Sequence, residues 1–243
     1  MIKFLGCTRV LIEGITVLDA PMWIVHMAYY SSGVIRDVTI ESPGQNNDGI
    51  VLDSSERFLV ADNHIHTGDD SIVIKSGRDE DGWRIGRPSQ DIVIRNNFME
   101  GHNALVIGSE LSGGIRRIFM NDNRLGDVRS AIYLKSNLDR GGYVQQVRIA
   151  GTTIEKAEMV IRINTDYPGY RGGRQPTCYQ DVFIENVHVR ETITDVLVEV
   201  EREASFQNIK VTGLRIDEVI NRLSTAEIRK LWEMGIEIEM GEK

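Results

Sequence analysis

The segment Ser71-Ile72-Val73-Ile74-Lys75-Ser76 is one copy of a pattern that returns along most of the chain. In each copy, apolar residues two positions apart fall on one face of a strand. The other copies are Gly49-Ile50-Val51-Leu52-Asp53-Ser54, Ala104-Leu105-Val106-Ile107-Gly108-Ser109, Ala131-Ile132-Tyr133-Leu134-Lys135-Ser136 and Val160-Ile161-Arg162-Ile163-Asn164-Thr165. A strand repeated in this way indicates an architecture built from stacked units.

A second short segment recurs between these copies and is interpreted as another strand. Equivalent positions are 23 residues apart between Val17 and Ile40, and 25 apart between Ile40 and Ile65. Polar, glycine-rich insertions at residues 77–89 and 166–177 lengthen two of the intervals. The segments are Gly14-Ile15-Thr16-Val17, Asp37-Val38-Thr39-Ile40, Asp62-Asn63-His64-Ile65, Asn96-Asn97-Phe98-Met99, Asp122-Asn123-Arg124-Leu125, Gly151-Thr152-Thr153-Ile154, Asn186-Val187-His188-Val189 and Gly213-Leu214-Arg215-Ile216.

A unit of two or three short strands cannot bury its apolar face alone, whereas stacked units can. The pattern therefore predicts an all-β fold, a right-handed parallel β-helix of about eight coils. We expect a single domain over residues 1–243, with coils at 1–222 and a C-terminal helix and tail at 223–243. An immunoglobulin-like sandwich lacks such column-by-column matching, and the leucine-rich repeat signature is absent.

The two ends of the predicted solenoid differ. Ser224-Thr225-Ala226-Glu227 has the pattern of a capping box, which predicts a helix over residues 225–234. Ile228, Leu231 and Trp232 fall on one face of this helix, so we expect it to plug the last coil. No equivalent cap precedes residue 10, and the first coil is expected to associate with another subunit, giving a possible homo-oligomer.

The composition excludes several classes of protein. The net charge of −8 argues against bulk nucleic-acid binding, and no apolar run approaches the length of a membrane span. The N-terminus shows no signal peptide, which predicts either an intracellular protein or one whose leader has been removed. Cys7 and Cys178 are far apart and are expected to be buried thiols, and no cofactor or metal motif is visible.

Aligning the repeats brings carboxylates together. Stacked coils are about 4.8 Å apart, so residues in one column become neighbours. Turn formation explains Asp48-Gly49 equally well. In contrast, adjacent Asp69 and Asp70 beside a third carboxylate repel one another and raise at least one pKa, which is typical of a catalytic site. One column holds Asp48, Asp70, Asn103 and Ser130, and the preceding column holds Asn47, Asp69 and His102.

Four segments occur in a recognisable order: Asn46-Asn47-Asp48, Gly68-Asp69-Asp70, Gly101-His102-Asn103 and Tyr133-Leu134-Lys135. They resemble the motifs of glycoside hydrolase family 28, the polygalacturonases, which are Asn-Thr-Asp, Gly/Gln-Asp-Asp, Gly-His-Gly and Arg-Ile-Lys. The runs at residues 74–82 and 106–114 resemble bacterial exo-acting members. The resemblance covers about residues 5–215.

The resemblance implies an inverting acid/base mechanism. Asp69 matches the general acid, Asp48 and Asp70 match the pair that activates water, and His102 matches a residue that orients the acid. Such a mechanism needs the acid and base carboxyls roughly 6.5–9.5 Å apart. Because neighbouring side chains of an extended strand point to opposite sides, we expect a turn at Asp69-Asp70.

The resemblance also suggests residues that bind substrate. Lys135 is retained, but Tyr133 stands where the family has an arginine that binds a substrate carboxylate. Arg162 lies one coil further in the same outward column, and we hypothesise that it supplies the missing charge; the alternative is a solvated surface residue. Lys75, Arg78 and Tyr167 complete the predicted substrate-binding set.

The predicted function is hydrolysis of α-1,4-galacturonosyl linkages in pectin or polygalacturonate. The partner is then a pectic polysaccharide or oligogalacturonide, with no cofactor and no membrane or nucleic acid, and the location implied by the family is extracellular or periplasmic. The insertion at residues 79–87 is expected to close one end of the groove and impose exo action. The alternatives are a rhamnogalacturonan hydrolase, a calcium-dependent pectate lyase and a non-catalytic carbohydrate-binding β-solenoid.

Overall fold

The computed structural model describes residues 1–200 and 204–241. Two helices lie in these ranges, α1 at Asp79–Ile85 and α2 at Thr225–Glu233. The strands are β1 Ile2–Leu5, β2 Val10–Glu13, β3 Thr16–Leu18, β4 Val25–Ala28, β5 Gly33–Arg36, β6 Thr39–Ser42, β7 Ile50–Asp53, β8 Glu56–Ala61, β9 His64–Lys75, β10 Ser89–Arg95, β11 Phe98–Gly108, β12 Ile115–Asn121, β13 Arg124–Lys135, β14 Tyr143–Ala150, β15 Thr153–Asn164, β16 Cys178–Glu185, β17 His188–Glu199, β18 Ser205–Asn221 and β19 Ile236–Met240.

The strands stack in parallel from coil to coil, which confirms the predicted parallel β-helix. One side is formed by β2, β5, β8, β10, β12, β14, β16, β18 and β19. The other side begins as separate short strands, with β3 over β6 and β4 over β7. From β9 onward these pairs merge into single strands of 11 or 12 residues.

Inward-facing aliphatic side chains form columns along the axis. One column runs through eight coils, the number expected from the sequence, and all its members after the first coil are buried. Burial of apolar surface stabilises a fold by roughly 25 cal/mol per Å². A single coil cannot bury its apolar residues in this way, whereas stacked coils can. Its members are Ile2, Val25, Ile50, Ile72, Leu105, Ile132, Ile161 and Val196.

The segments predicted as the second strand begin with a turn residue instead. The first residue of each segment has a φ between 52° and 65°. This left-handed conformation strains most L-residues and is tolerated best by glycine, asparagine and aspartate. The repeated residue types at these positions therefore mark the corner of each coil: Gly14, Asp37, Asp62, Asn96, Asp122, Gly151, Asn186 and Gly213.

A ladder of buried asparagines lies directly after three of these corners. Asn63 Nδ2 donates to Asn97 Oδ1 at 2.8 Å, and Asn97 Nδ2 donates to Asn123 Oδ1 at 3.0 Å. Asn97 Oδ1 also accepts the backbone N–H of Asn63, and its amide donates to the carbonyl of Val60. The ladder satisfies backbone groups that the corners leave without partners in the sheet.

The C-terminal helix α2 has the predicted capping box, because Ser224 and Glu227 bond reciprocally. Its packing differs from expectation. Leu231 is buried, but Trp232 is 65% exposed, since the helix is followed by β19, which pairs with β18 and takes the place against the last coil. The prediction that Trp232 belongs to the plug is wrong, and the strand β19 was not predicted.

Two further expectations concern the cysteines and the first coil. The cysteines are not buried thiols: Cys7 is exposed and Cys178 is half-buried, because both lie outside the inward columns. The first coil exposes Leu5, Leu11 and Leu18. Self-association through this edge stays a prediction. No helix among the described residues is long and apolar enough to cross a membrane.

Replacing Asn97 with alanine should lower the free energy of unfolding by about 2–4 kcal/mol, because it leaves buried donors and acceptors on both neighbouring coils without partners. Urea denaturation followed by tryptophan fluorescence measures the change. The matched control is Asn121→Ala, whose amide bonds only to exposed Asp122, and a change within about 0.5 kcal/mol is expected there. Equal effects of the two substitutions would contradict a structural role for the ladder.

Candidate active site

The candidate site lies where the two halves of the long strands meet. In the early coils this junction is a loop, residues 43–49 between β6 and β7, and Asp48 sits at its end. In the next coil β9 runs through the same place without interruption and carries Asp69 and Asp70. The backbone of Gly49 donates to the carbonyl of Asp70 at 2.8 Å, which fixes the two coils in register.

Asp69 and Asp70 lie on a bulge, and the expected turn is absent. Thr67 pairs with Gly101 and Asp70 pairs with Asn103, so β9 advances three residues while β11 advances two. The extra residue breaks the alternation of the strand and lets consecutive carboxylates approach the same groove. The sequence correctly indicated that the alternation of side chains must be broken at Asp69-Asp70. A bulge breaks it without ending the strand.

Glycines of two motifs make this bulge possible. A Cβ at Gly68 would overlap the carbonyl oxygens of Pro43 and Gly44 in the neighbouring coil. Gly101 has a φ of 109°, and a Cβ there would overlap the carbonyl oxygen of Thr67. The glycine in each motif therefore allows close backbone approach beside the carboxylates.

The three aspartates converge as the column alignment predicted. One carboxylate oxygen from each of Asp48, Asp69 and Asp70 lies within 4.8 Å of the other two. Three oxygens at that spacing can all be about 2.8 Å from one central atom, the length of an O–H···O hydrogen bond. The cluster can therefore hold a single water molecule. Its nearest oxygens are closer than the carboxyl separation of 6.5–9.5 Å expected for inverting enzymes.

Asp70 is held in its ionised form. It is buried, and burial alone would raise its pKa, but the ammonium groups of Lys135 and Lys75 outweigh this and lower the pKa below its usual value. Lys135 Nζ is 2.7 Å from Asp70 Oδ2, and Asn103 Nδ2 donates to Asp70 Oδ1 at 2.9 Å. These charged contacts make Asp70 a permanent base at neutral pH.

Asp48 retains its proton to higher pH. Burial raises its pKa to about 7, the charges of Asp70 and Asp69 add to the effect, and Lys75 partly opposes it. Lys75 Nζ is 3.5 Å from Asp48 but 2.9 Å from Glu110. Its charge is therefore shared, and its ammonium also lies 4.7 Å from the ring centre of Trp23.

Asp69 is the accessible carboxylate of the three, with 30% of its side chain exposed. Burial and the neighbouring charge of Asp70 raise its pKa. His102 Nδ1 is 4.0 Å from Asp69 Oδ1, while its Nε2 accepts from the guanidinium of Arg129 at 2.9 Å. Burial and then Arg129 lower the pKa of His102, so the imidazole beside Asp69 is neutral at pH 7.

The predicted substrate-binding residues fall into two groups. Lys75 and Lys135 are buried against the carboxylates, so they set charge within the cluster. Tyr133 and Arg162 pair in adjacent coils as predicted, with the guanidinium carbon 4.7 Å from the ring centre. Arg162 is bound to Glu199 at 2.9 Å. Arg78 is exposed at 54%, and the half-buried Tyr167 has its ring centre 5.2 Å from Lys135 Nζ.

The two insertions contact each other beside this groove. Asp79, at the start of α1, accepts from Arg140 at 2.5 Å and from Arg171 of the second insertion. Trp83 Nε1 donates to the carbonyl of Arg140 at 2.8 Å. Arg171 thus joins the two insertions into one wall, and the buried ion pair of Asp79 with Arg140 anchors this wall to the loop between β13 and β14.

Four residues of the site were not predicted as such: Asn103, Glu110, Arg129 and Glu199. Asn103 had been placed in the column of Asp48 and Asp70 without a role, and it ties Asp70 to the next coil. Glu199 lies in the same strand column as Lys135 and Asn164. Extending that column by one coil would have found it, and extending the column of Asp69 and His102 by one coil would have found Arg129, whereas nothing in the sequence places Glu110 beside the cluster.

The sequence model for glycosyl hydrolases family 28 matches residues 1–230. The chain belongs to this family. Among its relatives is a probable polygalacturonase of Vitis vinifera, 27% identical over 237 residues, covering 96% of this chain and 48% of the relative. An exo-poly-alpha-D-galacturonosidase of Dickeya chrysanthemi is 24% identical over 84% of this chain and 39% of its own length.

Solved structures agree with the family 28 assignment. The crystal structure of a hyperthermoactive exopolygalacturonase from Thermotoga maritima superposes with a TM-score of 0.83 at 33% identity, covering 96% of this chain and 53% of the other. A polygalacturonase from Erwinia carotovora shares the fold at 21% identity, with a TM-score of 0.76. The right-handed parallel β-helix is thus confirmed, and the family 28 chain spans about half the length of the relatives it matches.

The free energy of unfolding of Asp48→Asn, measured relative to that of wild type, should be higher at pH 8 than at pH 5. In the unfolded chain the Asp48 carboxyl ionises near pH 4, but in the folded protein its pKa is about 7. The folded state therefore binds the extra proton between these values, and wild-type stability falls as pH rises through that window.

Urea denaturation at both pH values measures this difference, which we expect to exceed about 1 kcal/mol. The control is Asp127→Asn, at an exposed carboxylate of β13. A difference between Asp48→Asn and wild type that does not grow with pH would show that the buried Asp48 carboxyl is not the group being titrated.

Proposed function

We propose that the chain hydrolyses α-1,4-galacturonosyl linkages of pectin or polygalacturonate by an inverting acid/base mechanism, acting from chain ends. The observation that carries the proposal is the division of charge within the aspartate cluster. Asp70 is held ionised by Lys135 and Asn103, whereas the accessible Asp69 has a raised pKa. A base and an acid with pKa values pushed apart is the arrangement that hydrolysis requires.

The proposed steps use these residues directly. Asp69 donates its proton to the glycosidic oxygen as the bond from that oxygen to the anomeric carbon breaks. A water held by Asp70 and Asp48 attacks the anomeric carbon and gives its proton to Asp70. Neutral His102 lies beside Asp69 and helps to orient it, and Lys75 with Lys135 balances the charge of the cluster.

The close spacing of the aspartates bears on the stereochemistry. Oxygens within 4.8 Å of one another leave room for a water between them, but not for a sugar carbon as well. The water and the glycosidic oxygen must therefore approach from different sides of the cluster. We infer that Asp69, the half-exposed member, faces the leaving group, while the buried pair Asp48 and Asp70 holds the water.

Exo action is supported by the wall that the two insertions form. Arg140 and Arg171 both bind Asp79, and Tyr167 of the second insertion borders Lys135. A groove closed at this wall would admit a chain end and exclude the middle of a polymer. The substrate is then a pectic chain or oligogalacturonide, and this substrate implies an extracellular or periplasmic location.

The calcium-dependent lyase is less well supported. The ammonium groups of Lys75 and Lys135 lie 3.5 and 2.7 Å from Asp48 and Asp70, where they already neutralise the carboxylates that a calcium ion would need. A non-catalytic carbohydrate-binding solenoid would not require a protonated carboxyl beside an ionised one, since binding alone does not transfer a proton.

Asp69→Asn should lower kcat on polygalacturonate by about 10²- to 10⁴-fold, because an amide cannot donate the proton that the leaving oxygen needs. Product chromatography measures turnover, and proton NMR of the early products should show the β-anomer forming first from the α-linkage. Asp127→Asn again serves as the control, with turnover unchanged.

Other outcomes have defined meanings. Unsaturated, ultraviolet-absorbing products that disappear with a calcium chelator would establish the lyase. Early release of the α-anomer would replace inversion by retention, for which the closer carboxyl spacing would then account. Binding of polygalacturonate without any products would support the non-catalytic solenoid.

Asp79→Asn should shift the products of polygalacturonate digestion toward longer oligomers. The substitution removes the negative charge shared by Arg140 and Arg171 and leaves the buried Arg140 guanidinium without a counter-charge, which destabilises the wall by about 3 kcal/mol. Product-length analysis by chromatography is the measurement. The control is Asp81→Asn, in the same helix but exposed and paired only with Arg84; if both variants keep the wild-type products, the wall does not determine exo action.

A further inference from the structure

Two cations, Lys135 and Arg162, line the part of the groove beyond the aspartate cluster, which we call the strip. Each is already paired with a carboxylate. Lys135 Nζ is 2.7 Å from Asp70 Oδ2. Arg162 Nε and Nη2 lie 3.0 and 2.9 Å from the same oxygen of Glu199. Asn164 Nδ2 donates to that oxygen as well, at 3.0 Å. Each cation that could receive a sugar carboxylate here therefore already has a carboxylate partner within the protein.

The ring of Tyr133 holds Arg162 in this position. The guanidinium carbon lies 4.7 Å from the ring centre, and Lys135 Nζ lies 5.3 Å from it. Tyr133 is only 4% exposed, so it acts as the platform under the two cations and is not itself open to a ligand. With the ring on one side and Glu199 on the other, Arg162 cannot turn to a second carboxylate without giving up charged hydrogen bonds.

Glu199 adds a negative charge to the open side of the strip. Its side chain is 41% exposed, compared with 17% for Arg162. A ligand that approaches this position therefore meets the carboxylate before the guanidinium. A like charge brought close to Glu199 is repelled, and Arg162, already paired with Glu199, compensates its loss of water only in part.

The strip lies within reach of the sugar units next to the cleaved linkage. Tyr133 is two coils beyond Asp70 and Arg162 is three, and stacked coils are about 4.8 Å apart. We propose that the sugar unit bound beside Arg162 and Glu199 carries no free carboxylate, and that Glu199 is the specificity-determining residue that selects it. The unit is a methyl-esterified galacturonate or a neutral sugar.

The position of this unit rests on the proposed function, but the selectivity is a property of binding and can be measured without turnover. The experiment uses Asp69→Asn protein and isothermal titration calorimetry with three oligosaccharides of equal length. These are a de-esterified oligogalacturonate, its methyl-esterified form and a rhamnogalacturonan fragment. We expect the first to bind most weakly, and the other two distinguish an esterified unit from a neutral sugar.

Adding Glu199→Gln should tighten binding of the de-esterified oligogalacturonate about fivefold, which corresponds to about 1 kcal/mol, and leave the methyl-esterified form unchanged. The matched control is Glu191→Gln, eight residues earlier in β17, where the carboxylate pairs with Lys156 and is 53% exposed. No change is expected for any of the three oligosaccharides. Arg162→Gln in place of Glu199→Gln should instead weaken binding of the de-esterified oligogalacturonate, because Glu199 then loses its counter-charge.

The inference is overturned if the de-esterified oligogalacturonate binds best and Glu199→Gln does not alter its affinity. Failure of all three oligosaccharides to bind would overturn it as well. Wild-type protein that binds with the expected preference but cleaves none of the three would contradict only the proposed hydrolysis, so the two failures are distinguishable.

Discussion

Backbone hydrogen bonding between successive coils is the constraint on which the rest of the molecule depends. It holds residues about 25 to 35 positions apart in sequence as immediate neighbours, so a side chain in one coil always meets the equivalent side chain in the next. The apolar core follows from this, and so does the aspartate cluster. Asp48 and Asp70 are forced together because Gly49 is bonded to the carbonyl of Asp70. The bulge at Asp69 then adds the third carboxylate at the same level.

Bringing three carboxylates together would destabilise the fold without the cations around them. The protein places an ammonium group on each side, Lys75 near Asp48 and Lys135 on Asp70. The two are not equivalent, because Glu110 draws the charge of Lys75 away and leaves Asp48 poorly compensated. Burial then raises the pKa of Asp48 to about 7. Unequal pairing of this kind is how one cluster comes to hold both a protonated and an ionised carboxyl.

Much of the fold could be predicted from the sequence because each coil repeats the same physical requirement. The aliphatic columns and the convergence of Asp48 with Asp70 follow from spacing alone. The bulge at Asp69 could not be predicted, because a bulge and a turn both reverse the alternation of a strand and differ only in the pairing of the next coil. Burial of the lysines was missed for a related reason: Lys75 and Lys135 follow apolar runs where solvent exposure is the ordinary expectation, and only the folded contacts reveal their partners. Trp232 was predicted to be part of the cap, but β19 occupies that place.

The lysines also bear on how a polyanionic ligand could be recognised by an acidic protein. Charges that stabilise the aspartates are not available to a substrate carboxylate, so recognition must come from cations outside the cluster. Arg78 is one such residue, since more than half of its side chain is exposed and it lies 3.5 Å from Asp79 at the edge of the wall. Arg162 has the same residue type but a different role, because Tyr133 and Glu199 hold its guanidinium between them. Residue type and column position therefore do not determine function here; the partner that each cation already has decides whether it can bind a ligand.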